Sequence, residues 1–274
     1  MSETTISLIH QVELKIFKRF KQIVQQYEIP YIAMGGTLLG AVRHHGFIPW
    51  DDDMDVGMLR DDYEKFLQIC SAEFQNDSYF LQTPWTDENY ALSYAKILDR
   101  NTYIEEKNNV NNARKGVFLD IFPLDKIPAS PSRQRHQIIQ MRRLDSRIYL
   151  KLRYNVIDNP IRRLQSSLSP EQILAASQFK NQRQQVMTQF NSKLALTDFK
   201  NLASQYAYDK EIISQDQLEN TMALPFENTQ ITVPKDFDTI LTNIYGNYLQ
   251  LPPVNQRNDK HIARLIMDNQ EFEG

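Results

Sequence analysis

The distribution of glycine constrains this chain more than any other feature. The 274 residues contain only eight glycines, and five of them lie in the 23 residues from Gly35 to Gly57. Glycine permits tight turns and lets the backbone approach a ligand or a neighbouring segment closely. The same stretch contains four aspartates within five residues, from Asp51 to Asp55. Backbone freedom and negative charge are therefore concentrated in one short segment.

Hydrophobic periodicity predicts what surrounds the glycine pair. Apolar residues recur every four positions at the start of the chain, which predicts an amphipathic helix over 8–27. The apolar stretch 31–34 predicts a buried strand, and 37–42 predicts the first turns of a helix just after Gly35-Gly36. A helix that begins at a glycine pair offers unpaired N–H groups to a phosphate.

The aspartates predict a metal site. In a strand over 53–56, the two-residue period places Asp53 and Asp55 on one face and their apolar neighbours in the core. Two such carboxylates are hard oxygen ligands suited to Mg²⁺, and Mn²⁺ meets the same requirement. A third carboxylate is expected from elsewhere. Asp120 is the best candidate, because a lone acid flanked by Phe118 and Phe122 is costly to bury without a partner.

Other interpretations of this segment are open. A Gly-Gly pair is most often only a turn, and an acidic run is most often a solvated loop. An EF-hand is a closer rival, since Asp51, Asp53, Asp55 and Asp62 occupy positions 1, 3, 5 and 12 of its frame. However, Val56 stands where that loop requires glycine. The calcium-loop interpretation therefore fails at its turn.

The remainder of the chain predicts an α+β fold with a helical half. The predicted elements are strands over 91–98 and 116–122, a polar glycine-free helical region over 132–199 with a break near Asn159-Pro160, a hairpin over 221–233, and a last helix capped by Asp236 and ended by Gly246. A capping box at 61–64 predicts one further helix start. We predict a catalytic core over 1–128, a helical insertion over 129–220, and a segment over 221–274 that completes the core.

Charge is unevenly distributed behind a net value of -3. Residues 131–163 carry nine Arg/Lys and two Asp. Three roles for this segment are open. It is a solvated helix face, it binds anionic lipid headgroups, or it attracts a phosphate-rich acceptor electrostatically. No recognition motif accompanies the charge, so nucleic acid is not the expected partner.

Composition points to a reducing compartment. Cys70 is the single cysteine, which rules out an internal disulfide and a multi-cysteine metal site. The sequence shows no apolar run of about 18 residues and no secretory signal. We expect a cytoplasmic protein, with peripheral contact at the inner face of the membrane as a role for the basic segment.

Three segments together resemble one family. They are GGTLLGAVRHHGFIPWDDDMDVGM over 35–58, VFLDIFPLD over 117–125, and Tyr245-Gly246 through Pro252-Pro253 followed by Arg257 and His261. They are similar to the motifs of the LicD/fukutin family, over roughly 8–125 and 240–262. The first motif is highly specific in length and order, and the middle helices carry little of the resemblance.

The resemblance implies a nucleotidyltransferase-like mixed β-sheet core flanked by helices. It implies phosphate contacts at Gly35, Gly36 and Thr37 and divalent metal at Asp53, Asp55 and Asp120, with Asp51 in support. Arg43 and Lys96 are candidate phosphate contacts from their positions, with a surface cation or a structural ion pair as the equal alternative. Family position favours nucleotide contacts for Arg257 and His261. These residues form the predicted site.

The resemblance also implies an activity. LicD-type members transfer phosphocholine from CDP-choline to a sugar hydroxyl of a bacterial surface-glycan precursor, such as teichoic acid or lipopolysaccharide. The expected partners are that donor and a lipid-linked or phosphate-rich glycan acceptor. The same fold also accommodates transfer of phosphoribitol, phosphoglycerol or a nucleotidyl group. A non-catalytic protein that binds divalent cations is the alternative from another class.

A choline headgroup requires an aromatic or acidic box around its quaternary ammonium. Five aromatic residues cluster in sequence and are candidates: Tyr79, Phe80, Trp85, Tyr90 and Tyr94. A group of aromatics is more often part of the core. The sequence leaves that choice open.

Overall fold

The computed structural model describes residues 3–106, 111–154, 168–257 and 262–273. The helices in these ranges are α1 (Glu3–Gln26), α2 (Gly35–Arg43), α3 (Arg60–Glu73), α4 (Pro131–Leu152), α5 (Pro170–Thr188), α6 (Gln215–Glu219) and α7 (Phe237–Tyr245). The strands are β1 (Ile32–Ala33), β2 (Asp55–Leu59), β3 (Tyr79–Gln82), β4 (Ala95–Asp99), β5 (Thr102–Glu106), β6 (Phe118–Lys126), β7 (Asp198–Asn201), β8 (Ile212–Ser214), β9 (Thr221–Phe226), β10 (Thr229–Pro234), β11 (Ile262–Met267) and β12 (Gln270–Glu273). The α+β class is confirmed.

The central sheet is mixed and is organised around β6. Its path runs β1-β2-β6-β4-β3, and β7 and β8 extend it from the far end of β6. The β2–β6 pair is parallel, and the other pairs are antiparallel. Eight of the nine residues of β6 are buried, as expected for a strand with neighbours on both edges and layers on both faces.

The first helix supplies much of the core beneath this sheet. Ile9, Ile16 and Phe20 of α1 are fully buried, and α1 packs against β4 and β6. The helix predicted over 8–27 and the strand predicted over 31–34 are confirmed, and the helix predicted just after the glycine pair begins at Gly35 and includes the pair. Burying this apolar stripe is the main source of stability for such a helix.

The helical region forms a packed pair, α4 and α5, against the edge of the core. Arg183 of α5 is 2% exposed and donates hydrogen bonds to the Asp145 carboxylate at 2.8 Å and to the carbonyls of Ala91 and Leu92 at 2.8 and 2.7 Å. The strand predicted over 91–98 begins only at Ala95, because the carbonyls of Ala91 and Leu92 accept hydrogen bonds from Arg183 and not from a neighbouring strand. The predicted break near Asn159-Pro160 lies outside the described residues.

The C-terminal part returns to the core. The predicted hairpin is confirmed as β9 and β10, and α7 ends at Gly246, whose φ is 68°. The strand β11 pairs with both β12 and β5 in a three-stranded sheet. The three-part division at 128 and 220 stays a prediction.

Two predicted caps are wrong in detail. The helix α3 begins at Arg60, one residue before the expected box, and Leu59 gives it no side-chain cap. Asp236 precedes α7, but its carboxylate accepts the Thr239 hydroxyl at 2.7 Å and makes no cap to the helix backbone. The start of α3 moves by two residues and that of α7 does not move, which is within the ordinary uncertainty of helix boundaries. Within the described residues, no helix combines the length and apolar character that a membrane crossing requires.

Candidate active site

The predicted aspartates meet where two parallel strands lie side by side. Asp55 opens β2 and is the register partner of Asp120 in β6. The Asp120 amide donates to the carbonyl of Met54 at 2.9 Å, and the Asp55 amide donates to Oγ1 of Thr37 at 2.8 Å. Because register partners point to the same face of a sheet, both carboxylates enter one space.

The glycine pair is required by these carboxylates. Gly35 has φ +50°, and a Cβ placed on it would lie 3.1 Å from Oδ2 of Asp55. A Cβ on Gly36 would lie 2.5 Å from Oδ2 of Asp51, closer than carbon and oxygen approach without a bond. The first turn of α2 therefore packs directly on the acidic groups, which the sequence did not reveal.

Asp53 and Asp55 line two separate cavities. We call the boundary that these two residues form between the cavities the aspartate ridge. We call the first, of about 330 Å³, the Trp50 cavity. The second, of about 340 Å³, is the Lys96 cavity. Gly36 faces the Trp50 cavity and Gly35 faces the Lys96 cavity. A ligand with two phosphates can thus cross the ridge and extend into both spaces.

A larger cavity of about 980 Å³ lies elsewhere, between α1, β2 and the end of β6. Its described lining includes Lys21, Ile29, Leu124 and Phe199 but none of the predicted site residues. Size alone favours this cavity. We place the chemistry at the two smaller ones because they contain the convergent charged groups, which mark functional clefts better than volume does.

Lys96 is held by carboxylates and an aromatic ring. Its ammonium lies 3.4 Å from Oδ1 of Asp120, 3.7 Å from Oε1 of Glu106 and 3.2 Å from the ring centroid of Phe118. Burial lowers the pKa of Lys96, but the charges of Asp120 and Glu106 outweigh that effect and the pKa is raised overall. Lys96 is therefore an ion-pair partner of Asp120.

The carboxylates repel one another in a buried setting. Burial raises the pKa of Asp120 to about 7, with the Lys96 charge opposing the shift and Asp53 adding to it. Burial also raises the pKa of Asp55 well above its ordinary value, and the Asp53 and Asp120 charges raise it further. A cation bound among these groups would relieve this cost.

The donor groups suit Mg²⁺ or Mn²⁺, although they do not form a finished cage. In the described part of the chain, no three acidic, histidine or cysteine side chains converge into a ready metal site. Mg²⁺ usually keeps several waters and binds through one or two carboxylates together with substrate phosphates. Oδ1 of Asp120 is buried and makes no hydrogen bond with any described residue, and its near neighbour is the Lys96 ammonium at 3.4 Å, with which a bound cation would compete.

Some of the predicted phosphate and nucleotide contacts line one of the two cavities, and others do not. Arg43 lines the Trp50 cavity, and its guanidinium donates to the carbonyl of Tyr248 at 2.8 Å. The Arg257 guanidinium lies 5.1 Å from the Trp50 ring centroid, beside the same cavity. Thr37 holds the Asp55 amide and is not among the described residues that line either cavity. His261 lies outside the described residues.

Asp52 differs from its neighbours in the acidic run. It is 1% exposed, and its Oδ2 accepts the amide of Ile262 at 3.0 Å, at the start of β11. It therefore fastens the C-terminal sheet to the core. The sequence analysis assigned no role to Asp52.

The structure does not gather the five aromatic candidates around one space. Tyr94 lines the Lys96 cavity, Trp85 is 49% exposed, and Tyr79 and Phe80 lie on the edge strand β3. Phe118 and Phe122, which the sequence places beside Asp120, line this cavity with Tyr94. Sequence reasoning missed four further residues that line it: Tyr154, Tyr206, Glu106 and Glu211. Tyr154, Tyr206 and Glu211 lie in loops, whose sequences have no hydrophobic periodicity from which their positions could be predicted.

The sequence is similar to known proteins of one family. A family model described as "LicD/FKTN/FKRP, nucleotidyltransferase domain" matches residues 28–144. The chain is 30% identical over 278 aligned residues to the lipopolysaccharide cholinephosphotransferase LicD of Haemophilus influenzae, covering 97% of this chain and 100% of that protein. It is 39% identical over 51 residues to the ribitol 5-phosphate transferase FKRP of Mus musculus and of Homo sapiens, covering 19% of this chain and 10% of each relative.

Proposed function

The chain belongs to the LicD family, and on this premise we propose that it is a metal-dependent phosphotransferase that moves phosphocholine from CDP-choline to a sugar hydroxyl of a cell-surface glycan. The similarity to the Haemophilus influenzae cholinephosphotransferase extends over 97% of this chain. That similarity favours lipopolysaccharide as the acceptor, and a teichoic acid precursor is the other acceptor of the same class. The single observation that carries the proposal is the aspartate ridge shared by two cavities.

The geometry supports a donor that crosses the ridge. The Trp50 cavity offers Arg43 and an aromatic ring for the cytidine half, and Arg257 lies beside that ring. The glycine pair and the N-terminus of α2 lie at the ridge, where the two phosphates would lie. The headgroup would then enter the Lys96 cavity. In this placement the cytidine half of the donor lies in the Trp50 cavity and the headgroup half lies in the Lys96 cavity.

Asp53, Asp55 and Asp120 would hold Mg²⁺ together with the donor phosphates. When bound, the metal supplies positive charge that offsets the charge developing on the leaving CMP. The chain itself orients the carboxylates: the Thr37 hydroxyl fixes the start of β2, and the parallel register fixes Asp120 opposite Asp55. Such fixed geometry spares the site from reorganising during the reaction.

The acceptor hydroxyl would attack the phosphorus that carries choline. A new bond forms between that phosphorus and the acceptor oxygen, and its bond to the oxygen of CMP breaks. The acceptor proton would pass to one of the three carboxylates, and we assign this role to Asp120. The products are CMP and a choline phosphodiester on the glycan.

CDP-ribitol is the second candidate donor, because part of the chain is similar to a ribitol 5-phosphate transferase. The 51-residue match to the ribitol 5-phosphate transferase concerns the same kind of reaction with a sugar-alcohol headgroup. The longer match favours choline. A thermal-shift panel of CMP, CDP-choline, CDP-ribitol and CDP-glycerol, each with Mg²⁺, tests the choice. We expect the largest increase in Tm with CDP-choline, because a bound donor stabilises the folded state in proportion to its occupancy; no shift with any conjugate would remove the proposal.

The basic helix α4 supports contact with an anionic surface. Its arginines and lysine at the surface are Arg133, Arg135, Arg142, Arg143, Arg147 and Lys151. The one acid in this helix, Asp145, is paired with Arg183. Leu150 is 63% exposed on the same helix. Cations beside an exposed apolar side chain suit the headgroup region of an anionic membrane, where a lipid-linked acceptor would lie.

A further inference from the structure

The Lys96 cavity contains a buried carboxylate that the proposed reaction does not use. Glu211 lies directly before β8, lines the cavity and is 4% exposed. Its Oε2 atom makes no hydrogen bond with any described residue. A buried polar atom without a partner costs free energy, and in native proteins it calls for an explanation.

The neighbouring cations do not satisfy Glu211 directly. Lys96 lies between Asp120 and Glu106, at 3.4 and 3.7 Å. The charge of Lys200 acts on Glu211, but the Lys200 ammonium donates its hydrogen bond to the carbonyl of Lys210 at 2.6 Å. Burial dominates and raises the pKa of Glu211, although a hydrogen bond with the Ser204 side chain and the Lys200 charge both oppose the shift. With the metal assigned to the aspartates, Glu211 is the acidic group in this cavity that lacks a contacting counter-charge.

Aromatic rings form the adjoining walls. The rings of Tyr94 and Phe122 have their centroids 4.4 Å apart, and Tyr154 and Tyr206 also line the cavity. The cavity already holds a cation against an aromatic face, since the Lys96 ammonium lies 3.2 Å from the Phe118 centroid. Aromatic faces attract cations through their quadrupole, most strongly where water is excluded.

We propose that Glu211 is the counter-charge for a quaternary ammonium headgroup, seated in the Lys96 cavity against Tyr94 and Phe122. This inference rests on the proposed function and assigns the headgroup half of the donor. A quaternary ammonium has no N–H group, so it needs an attractive field and apolar faces in place of hydrogen bonds. A hydroxylated headgroup or a sugar acceptor would instead need several directed hydrogen bonds.

The test compares three ligands in the presence of Mg²⁺. They are CMP, CDP-choline, and the neutral carbon analogue in which C(CH₃)₃ replaces N⁺(CH₃)₃. Isothermal titration calorimetry gives each Kd for the wild-type protein and for Glu211→Gln. We expect the wild type to bind CDP-choline about tenfold more tightly than the neutral analogue, and the variant to lose most of this preference while binding CMP unchanged.

A matched control separates the charge of Glu211 from charge in general. Glu171 is exposed in the first turn of α5, and Glu171→Gln should keep the wild-type preference. Glu211→Gln with an undiminished preference would overturn the assignment. An equal loss of CMP and CDP-choline affinity would also overturn it, since that indicates a structural role. A wild type that binds CMP but not CDP-choline would instead refute the proposed donor.

A second measurement needs no variant. In the wild-type complex, the methyl protons of choline should show nuclear Overhauser contacts to the ring protons of Tyr94 and Phe122. Their absence, with contacts to the Trp50 ring in their place, would put the headgroup in the other cavity and overturn the assignment even if Glu211→Gln failed to fold.

Discussion

Asp55 and Asp120 lie side by side as register partners on the parallel strands β2 and β6. The two residues are 65 positions apart in the sequence, and the register brings them to one face of the sheet. Burial raises the pKa of both carboxyl groups, and the charges of Asp53 and Asp120 raise the pKa of Asp55 further, in a space that Lys96 only partly neutralises.

Removing either of these charges should stop the reaction. For Asp55→Asn and Asp120→Asn, and for Asp53→Asn, we expect turnover of CDP-choline with Mg²⁺ to fall about 100-fold or more, because the metal loses an anionic ligand. The measurement is CMP release at saturating Mg²⁺. Near-normal turnover in any of the three would remove that residue from the site.

Asp52 provides the matched control for these variants. Asp52→Asn exchanges a charged acceptor of the Ile262 amide for a neutral one, so we expect a lower free energy of unfolding, by about 1–3 kcal/mol. The affinity for Mn²⁺ should stay at the wild-type value. Urea denaturation and a Mn²⁺ titration followed by electron paramagnetic resonance measure the two quantities. A loss of Mn²⁺ affinity with unchanged stability would reverse the roles assigned to Asp52 and its neighbours.

Metal affinity should depend on pH near neutrality. The pKa of Asp120 is raised to about 7 in the metal-free protein, so below that pH a proton occupies a group that the metal needs. We expect the Mn²⁺ affinity to rise as pH increases from about 6, by about tenfold per pH unit, and to level off above the pKa. An affinity that is constant across this range would show that Asp120 does not titrate with metal binding.

The sequence predicted the local features of this site well and its long-range features less well. Met54 and Val56 are fully buried, as the two-residue period of 53–56 predicted, but the strand begins only at Asp55, so that Asp53 lies in the segment before it. The pairing of Asp120 with Asp55 depends on the strand order of the whole sheet. Sequence reasoning nominated Asp120 because of its aromatic neighbours, and the structure supplies the contact.

Other features could not be predicted because loops place them. Asp52 and Asp53 are adjacent and chemically identical, but only the arrival of Ile262 from the far end of the chain makes Asp52 structural. Glu211 lies in the backbone conformation φ 56°, before a three-residue strand, where no periodic pattern exists. The residues that approach from loops are therefore the ones that sequence reasoning missed.

Charge reversal on α4 should weaken membrane contact without affecting the active site. For the double variant Arg142→Glu with Arg143→Glu, both exposed, we expect binding to anionic vesicles at low salt to decrease roughly 100-fold or more, because two contacts worth about 1 kcal/mol each become repulsive. Co-sedimentation with phosphatidylglycerol vesicles at low and high salt measures this. The Kd for CMP should not change. Equal sedimentation of the variant and the wild type would leave α4 as a solvated face.

The most direct measurement is phosphorus NMR of the products formed from CDP-choline, a purified glycan acceptor and Mg²⁺. We expect equimolar CMP and a choline phosphodiester on the acceptor, since attack at the choline-bearing phosphorus releases CMP. Free phosphocholine together with a cytidylylated acceptor would show attack at the other phosphorus, and would contradict the proposed phosphocholine transfer.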